Sequence, residues 1–117
     1  MDVVKGRTAT LVYTFYSYWS GETSTSTLAN ITGATIKFMA KLSDSDLDSA
    51  ATISKTGSVT DGLNGLASVT LAASDTNSIS QRQLMCECVA KLADGTTYIG
   101  AGVDTLNLKA NLIKTLF

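Results

Sequence analysis

Three acidic residues form the first pattern in this chain that could bind a metal ion. Asp44, Asp46 and Asp48 stand at alternate positions, as do the first carboxylate ligands of a calcium loop of the EF-hand type. The rest of that loop is missing, because its sixth position holds Ser49 where glycine belongs and its twelfth holds Lys55 where a bidentate glutamate belongs. We therefore expect a solvated loop and no metal site, with calcium binding through other ligands as the alternative.

Two cysteines could offer a disulfide, a metal site or a nucleophile. Cys86 and Cys88 lie two residues apart in a segment of alternating polarity. In a β-strand this spacing directs both thiols to one face with their Cα atoms about 6.5 Å apart, near the upper limit for a disulfide. A zinc ion needs four ligands, and the chain has no histidine and no further cysteine. The sequence therefore predicts two reduced, buried thiols that serve as small apolar side chains in a reducing cytoplasm.

Nucleophilic catalysis has many candidate hydroxyls and no partner for them. The chain contains 17 threonines and 13 serines, but the lack of histidine removes the commonest general base. No motif selects a serine–lysine pair. The nine glycines are dispersed among turns and form no phosphate-binding loop. We expect no enzymatic activity and no cofactor.

An aromatic group at a strand end is a candidate for recognition. Tyr16, Tyr18 and Trp19 precede a polar loop. Tyrosine and tryptophan at a loop mouth can stack on sugars or anchor a protein interface. The alternative is that these rings form the edge of the hydrophobic core.

The last eight residues, ANLIKTLF, form a second candidate interface. Four large apolar side chains left in water would forgo roughly 1.5–3 kcal/mol each. We expect them to be buried, either in the chain's own core as a last strand or, as we favour, against a neighbouring subunit. The four residues are Leu112, Ile113, Leu116 and Phe117.

Composition limits the class of protein. A chain of 117 residues is long enough for one domain, and we assign 1–117 to it. Nine basic and ten acidic residues leave a net charge of −1, so we expect no nucleic-acid partner. No apolar run approaches the roughly 18 residues of a membrane span, and no signal peptide is visible, so we expect no membrane role.

Alternation of apolar and polar residues predicts β-strands with one buried face. The clearest runs place Leu11, Tyr13 and Phe15 on one side of a strand, and Ile36 and Phe38 on one side of another. The predicted strands cover 7–18, 34–41, 51–55, 66–71, 84–92, 96–101 and 103–109.

Turn residues separate these runs. Asp-Gly or Asn-Gly pairs at 61–62, 64–65 and 94–95 tolerate positive φ, and the last pair predicts a tight hairpin. One helical turn is predicted within 74–80, with Ser74 or Asp75 as its N-cap. The whole pattern predicts an all-β fold, an immunoglobulin-like two-sheet β-sandwich of about seven strands, with a partly open barrel as the alternative.

The order of the motifs resembles a known family. A start of the form KGRTATLVYTF leads through an aromatic strand and a polar loop to ITGATIKF at 31–38, which is close to that family's L-T-G-A-T-V-K-F. An acidic loop, a D-G-x-x-G strand, an L-x-x-x-D-T turn, D-G-T and a final G-x-x-x-L-x-L follow. These features resemble the immunoglobulin-like domains of tailed-phage and prophage structural proteins, particularly the N-terminal domain of baseplate upper proteins. Here I-T-G replaces L-T-G, and Leu84-Met85-Cys86-Glu87 replaces the Y-D-x-E pattern.

The resemblance implies an assembly role and no reaction. It implies a component of a virion's tail, baseplate or connector, assembled in the host cytoplasm as a homo-oligomer that binds other virion proteins. A capsid decoration protein and a glycan-binding host-adhesion module are the alternatives. Glycan binding that is lost in Trp19→Ala would favour the adhesion module.

Overall fold

The computed structural model describes residues 2–18, 27–42, 51–79 and 83–109. Two short helical turns accompany the strands: a 3-10 turn, Gly62–Asn64, and α1, Ala73–Thr76. Among the described residues, no helix is long and apolar enough to cross a membrane. The strands are β1 (Asp2–Val4), β2 (Ala9–Thr14), β3 (Tyr16–Tyr18), β4 (Thr27–Leu28), β5 (Thr35–Lys41), β6 (Ile53–Asp61), β7 (Leu66–Leu71), β8 (Gln83–Lys91) and β9 (Tyr98–Lys109).

Seven strands form one continuous sheet in the order β1-β9-β8-β5-β6-β7-β2. β6 joins two layers, because its residues 53–57 pair with β5 and its residues from Ser58 to Asp61 pair with β7. The first layer is therefore β1-β9-β8-β5 and the start of β6, and the second is the end of β6 with β7 and β2. Neighbours are antiparallel except β1 and β9, which run parallel. The predicted all-β fold of about seven strands is confirmed, and its shape approaches a barrel.

A glycine permits the passage of β6 between the layers. A Cβ on Gly57 would lie 2.7 Å from the Ser68 carbonyl oxygen and 2.8 Å from Ile36 Cγ2. No real Cβ is found so close to a backbone oxygen, so any side chain here would push the two layers apart. In the sequence, an isolated glycine within a strand of alternating polarity indicates such a close approach of backbones.

The predicted inward faces form the core. Leu11, Tyr13 and Phe15 are buried from the second layer, and Ile36 and Phe38 from the first. They belong to one cluster of buried apolar side chains, in which the ring centroids of Tyr13 and Phe38 lie 6.2 Å apart. The alternation therefore identified the buried side of each of these strands.

The predicted pair of strands at 96–101 and 103–109 is wrong. They form the single strand β9, in which Val103 pairs with Glu87 and Gly100 with Val89. One residue of β8 thus faces two of β9, which is a β-bulge. Gly102, which lies between the two predicted strands, has φ of +93° and occupies this bulge.

Other strands also differ from the sequence prediction. β6 continues to Asp61, six residues beyond the predicted end, and β1 and β4 were not predicted. The segment 7–18 divides at Phe15, whose N–H donates to the Gly65 carbonyl and whose carbonyl accepts from the Ala29 N–H. Contacts between distant parts of the chain set these boundaries.

The helical turn is confirmed, but both predicted N-caps are wrong. Ala72 is the N-cap of α1, and Asp75 lies three residues later and accepts a hydrogen bond from the Ala72 N–H at 2.6 Å. Asp75 also forms an ion pair with Lys55 at 3.1 Å. The buried Thr76 hydroxyl accepts a hydrogen bond from the Gly6 N–H. A residue of α1 thus provides a partner for a backbone N–H of the turn that follows β1.

The predicted hairpin between β8 and β9 is confirmed. The Asp94 carboxylate accepts hydrogen bonds from the N–H groups of Thr96 and Thr97 and from the Thr97 hydroxyl. These bonds lower the pKa of Asp94 to about 2, the Thr97 hydroxyl having the largest effect. Gly95 has φ of +77°, as the turn requires.

Candidate assembly surface

The outward side of the first layer carries apolar side chains around one carboxylate. Met39 of β5 and Val103 of β9 lie directly opposite Glu87 of β8, one on each side. Met85 and Val89 stand two residues before and after Glu87 on the same strand, so they share its face. Glu87 is thus surrounded by four apolar side chains across three strands.

These residues line a groove of about 240 Å³. Val103 is 62% exposed and Met85 is 37% exposed, so both are available to a partner. Lys37 and Lys41 lie at two corners of the groove, opposite Val89 and Met85 respectively. We name this feature the outer groove; it is lined by Lys37, Met39, Lys41, Met85, Cys86, Glu87, Val89 and Val103.

Glu87 is the acid of the outer groove and forms no ion pair within the described ranges. Its carboxylate leans over Gly100, where Glu87 Oε2 lies 4.0 Å from the position that a Cβ would occupy. A cation on a partner could therefore approach Glu87 across a largely apolar surface.

The outward side of the second layer is different. Val12 is 68% exposed, but its neighbours on that side are hydroxyl-bearing: Ser68 lies opposite it, and Thr10 pairs with Thr70. This face carries no charged side chain on β2 or β7. It offers hydrogen bonds around two apolar side chains, the exposed Val12 and the half-buried Leu66.

The two thiols lie on the inner side of β8, as predicted. Cys86 and Cys88 are buried and free. Burial is the main cause that raises the pKa of each thiol, and it brings the pKa of Cys88 to about 12. The Tyr13 hydroxyl is buried beside the Cys86 thiol, and burial is the main cause that raises its pKa. Protonated, enclosed thiols are poor nucleophiles, and both side chains pack in the hydrophobic core.

The aromatic candidates fall partly within the described residues. Tyr16 is 36% exposed and lines a hollow of about 320 Å³ with Thr14 and the β-bulge residues Gly100, Ala101 and Gly102. Tyr18 is the last residue of β3. Trp19 lies outside the described residues, so the grouping of the three rings stays a prediction.

Two other groups of candidates lie outside the described residues. They are the acidic residues Asp44, Asp46 and Asp48 and the apolar residues Leu112, Ile113, Leu116 and Phe117. Within the described ranges, no three histidine, cysteine, aspartate or glutamate side chains come together as a metal site. The predictions for both groups stand as predictions.

Sequence reasoning missed the outer groove. Its signal was present in β8, where Met85 and Val89 occupy positions that alternate with the buried cysteines and should be polar if that face met only water. Neither a protein-family model nor a curated protein sequence matches the chain.

Proposed function

We propose that this chain is a non-enzymatic structural protein of a tailed bacteriophage or prophage. It is a component of the tail, baseplate or connector, it is assembled in the host cytoplasm, and it works by binding copies of itself and other virion proteins. Its partners recognise surfaces of the β-sandwich and require no cofactor. The exposed apolar outer groove is the observation that carries this proposal.

The outer groove supports an assembly role because its exposed apolar side chains contribute little to the stability of the domain. Val103 and Met85 leave apolar area in water, and burying such area contributes about 25 cal/mol per Å². Residues that pack only within a domain lie on its inner side, as Cys86 and Cys88 do on the same strand. An outward apolar group that spans three strands is typical of an interface.

The chemistry of the buried residues is consistent with a non-enzymatic role. The two thiols are protonated at neutral pH because burial raises their pKa. The Lys55–Asp75 pair stabilises the start of α1 and lies away from both cavities described above. Surface and core thus both favour binding over catalysis.

The virion assignment rests on the resemblance in motif order. The segment 31–38 leads into β5, and the Asp94-Gly95 turn joins β8 to β9, so the motifs that carry the resemblance lie at strands and turns of a β-sandwich. Strand and turn positions determine the fold of such a domain, and the docking surfaces lie on its faces and edges.

The test is the composition of purified particles. Particles induced from the source strain are separated into head and tail fractions, and peptides of this chain are quantified in each by mass spectrometry. We expect the chain in tail fractions at a fixed ratio to other tail proteins. Recovery with heads would indicate the capsid decoration alternative, and absence from both fractions would contradict a virion role.

A glycan-binding adhesion module is favoured by a separate observation. The hollow beside Tyr16 has an aromatic wall and a floor that includes Gly100 and Gly102, where the absence of side chains leaves space for a sugar ring. A glycan array with the wild-type chain and Tyr16→Ala decides this alternative. Specific binding that the substitution abolishes would support it, whereas an array without specific binding would remove it.

A further inference from the structure

We propose that the exposed Leu63 side chain of one copy of this chain binds in the outer groove of a second copy. The inference rests on the proposed function and deepens it, because it names both surfaces of one self-assembly contact. Leu63 lies in the 3-10 turn, Gly62–Asn64, which joins β6 to β7 at one end of the sandwich. Both surfaces belong to the described part of the chain.

Leu63 is the large apolar side chain with the highest exposure in the described ranges. It is 72% exposed, more than Val12 or Val103. A leucine in this position leaves most of its side chain in water, so it gains from any apolar surface that covers it. It is therefore the feature of this turn that an apolar partner would bind.

Hydrogen bonds hold the turn in one shape. The Gly62 carbonyl accepts from the Ile31 N–H at 2.8 Å and from the Gly65 N–H at 3.3 Å. The Asn64 side-chain amide donates to the Asp61 carboxylate at 2.8 Å. A turn that is already fixed loses little conformational freedom when a partner binds it, so little of the contact energy is spent on ordering.

The outer groove fits a single aliphatic side chain in size and character. Its volume is about 240 Å³, several times the roughly 30 Å³ that one water molecule occupies in the liquid. A leucine side chain of four carbon atoms can enter such a space, and its entry would remove both itself and the exposed Val103 from water. The apolar side chains that would contact it are Met39, Met85, Val89 and Val103.

The charges of the two surfaces are complementary. The outer groove carries two ammonium groups, those of Lys37 and Lys41, against the one carboxylate of Glu87. The turn and its flanking residues, 61–65, contain one acid, Asp61, and no base. Asp61 stands two residues before Leu63, so it approaches a corner lysine when Leu63 enters the groove. Opposite charges of this kind speed association and set the orientation of the partners.

The described backbone keeps Leu63 away from the groove of its own copy. Thr56 of β6 lies opposite Lys37, at the edge of the groove. From Thr56 the strand continues to Asp61, five residues or about 17 Å further along, and on the way it crosses from β5 to β7. The turn is therefore held at the end of the other layer, and only a second copy can place its groove over Leu63.

The contact joins two different surfaces and is therefore heterologous. After one contact has formed, the pair still offers one outer groove and one Leu63, so association continues into a closed ring or an open filament. The contact is small compared with a standard interface of about 1,600 Å². We therefore expect a dissociation constant between about 10 µM and 1 mM for a single contact, with additional stability where a ring closes.

The test removes one surface at a time in the full chain. Leu63→Ser removes the apolar side chain, and Val103→Lys places a charged side chain in the groove. We expect each variant alone to self-associate at least about tenfold more weakly than wild type in sedimentation equilibrium. Leu63→Ser keeps its groove and Val103→Lys keeps its Leu63. An equimolar mixture should therefore restore one contact and stop at a one-to-one heterodimer of close to wild-type affinity.

Two controls separate the contact from folding and from a general loss of apolar surface. Val12→Ser removes an aliphatic side chain of similar exposure from the second layer and should leave self-association unchanged. The melting temperature of each variant should stay within about 3 °C of wild type, because exposed side chains contribute little to stability. A larger drop for Leu63→Ser would show that Leu63 packs within its own copy and would overturn the proposal.

The remaining outcomes are decisive as well. The proposal is overturned by a wild-type chain that stays monomeric at millimolar concentration, or by the two variants failing to associate with each other. Weakened association of Val103→Lys with unchanged association of Leu63→Ser would show that another surface occupies the groove, and would overturn it too. None of these results bears on whether the chain is found in particle fractions. A chain that is present in tails but does not self-associate through Leu63 would keep the proposed function and lose this inference.

Discussion

The two layers of the sandwich bury similar inner faces but present different outer faces. Inside, Phe15 of the second layer and Phe38 of the first belong to the same cluster. Outside, β2 and β7 carry mainly hydroxyl groups, whereas β5, β8 and β9 carry the outer groove around Glu87. The inner faces are constrained by the core they share, so only the outer faces are free to differ.

The two outer faces differ in what a partner would gain by covering them. A threonine-rich face hydrates well and gains little from a partner, because its hydroxyl groups exchange one set of hydrogen bonds for another. An apolar face with one carboxylate gains from burial and selects the charge of its partner. If the chain assembles as proposed, we expect its partners to bind the first layer and the second layer to face water.

The largest effect is expected where the layers join. Gly57→Ala should lower the free energy of unfolding by about 3 kcal/mol, because the new Cβ overlaps the Ser68 carbonyl oxygen and Ile36. Chemical denaturation measures the change. Gly100→Ala is the matched control, since the nearest atom to its Cβ is 3.9 Å away. Equal stability of the two variants would mean that the junction tolerates a side chain.

The second prediction compares the two sides of β8. Cys88→Ser should cost about 2 kcal/mol, because it places a hydroxyl group among apolar neighbours. Met85→Ser changes the outward side of the same strand and should alter stability by less than about 0.5 kcal/mol. Both thiols should label slowly in the native state and completely after denaturation, and rapid native labelling would show that this face is accessible.

The third prediction compares the outer faces directly. Val103→Lys should weaken self-association at least about tenfold, which corresponds to about 1.4 kcal/mol of lost apolar contact. Val12→Lys introduces the same side chain at a site of similar exposure on the second layer and should have no effect. Light scattering over a concentration series measures both. A stronger effect of Val12→Lys would indicate that the interface lies on the second layer.

The smallest effect is expected at the hairpin of the first layer. The hydrogen bonds to Asp94 lower its pKa to about 2, below the value of about 3.9 in unfolded chains, so its ionised form stabilises the fold above about pH 4. Asp94→Asn, which imitates the protonated acid, should slightly lower the melting temperature at pH 7. The difference from wild type should shrink as the pH falls from 4 to 2; a difference that persists at pH 2 would contradict this origin.

The sequence by itself determined the class of the fold and the inner side of its strands. Alternation placed Leu11, Tyr13 and Phe38 inside, and the Asp94-Gly95 pair located the hairpin. These features are local: a residue two positions away lies on the same side of a strand, and a turn depends on its own backbone angles. Adjacent residues therefore carry enough information to predict them.

Tertiary structure decided which strands are neighbours, and with them the candidate site. The sequence predicted two strands at 96–101 and 103–109, and only the register against β8 shows that they are one strand with a bulge. Met39, Glu87 and Val103 are far apart in the chain, and they form one row of the outer groove because β5, β8 and β9 pair in one register. Alternation tells which side of a strand a residue lies on, but hydrogen bonding between distant strands decides what stands beside it.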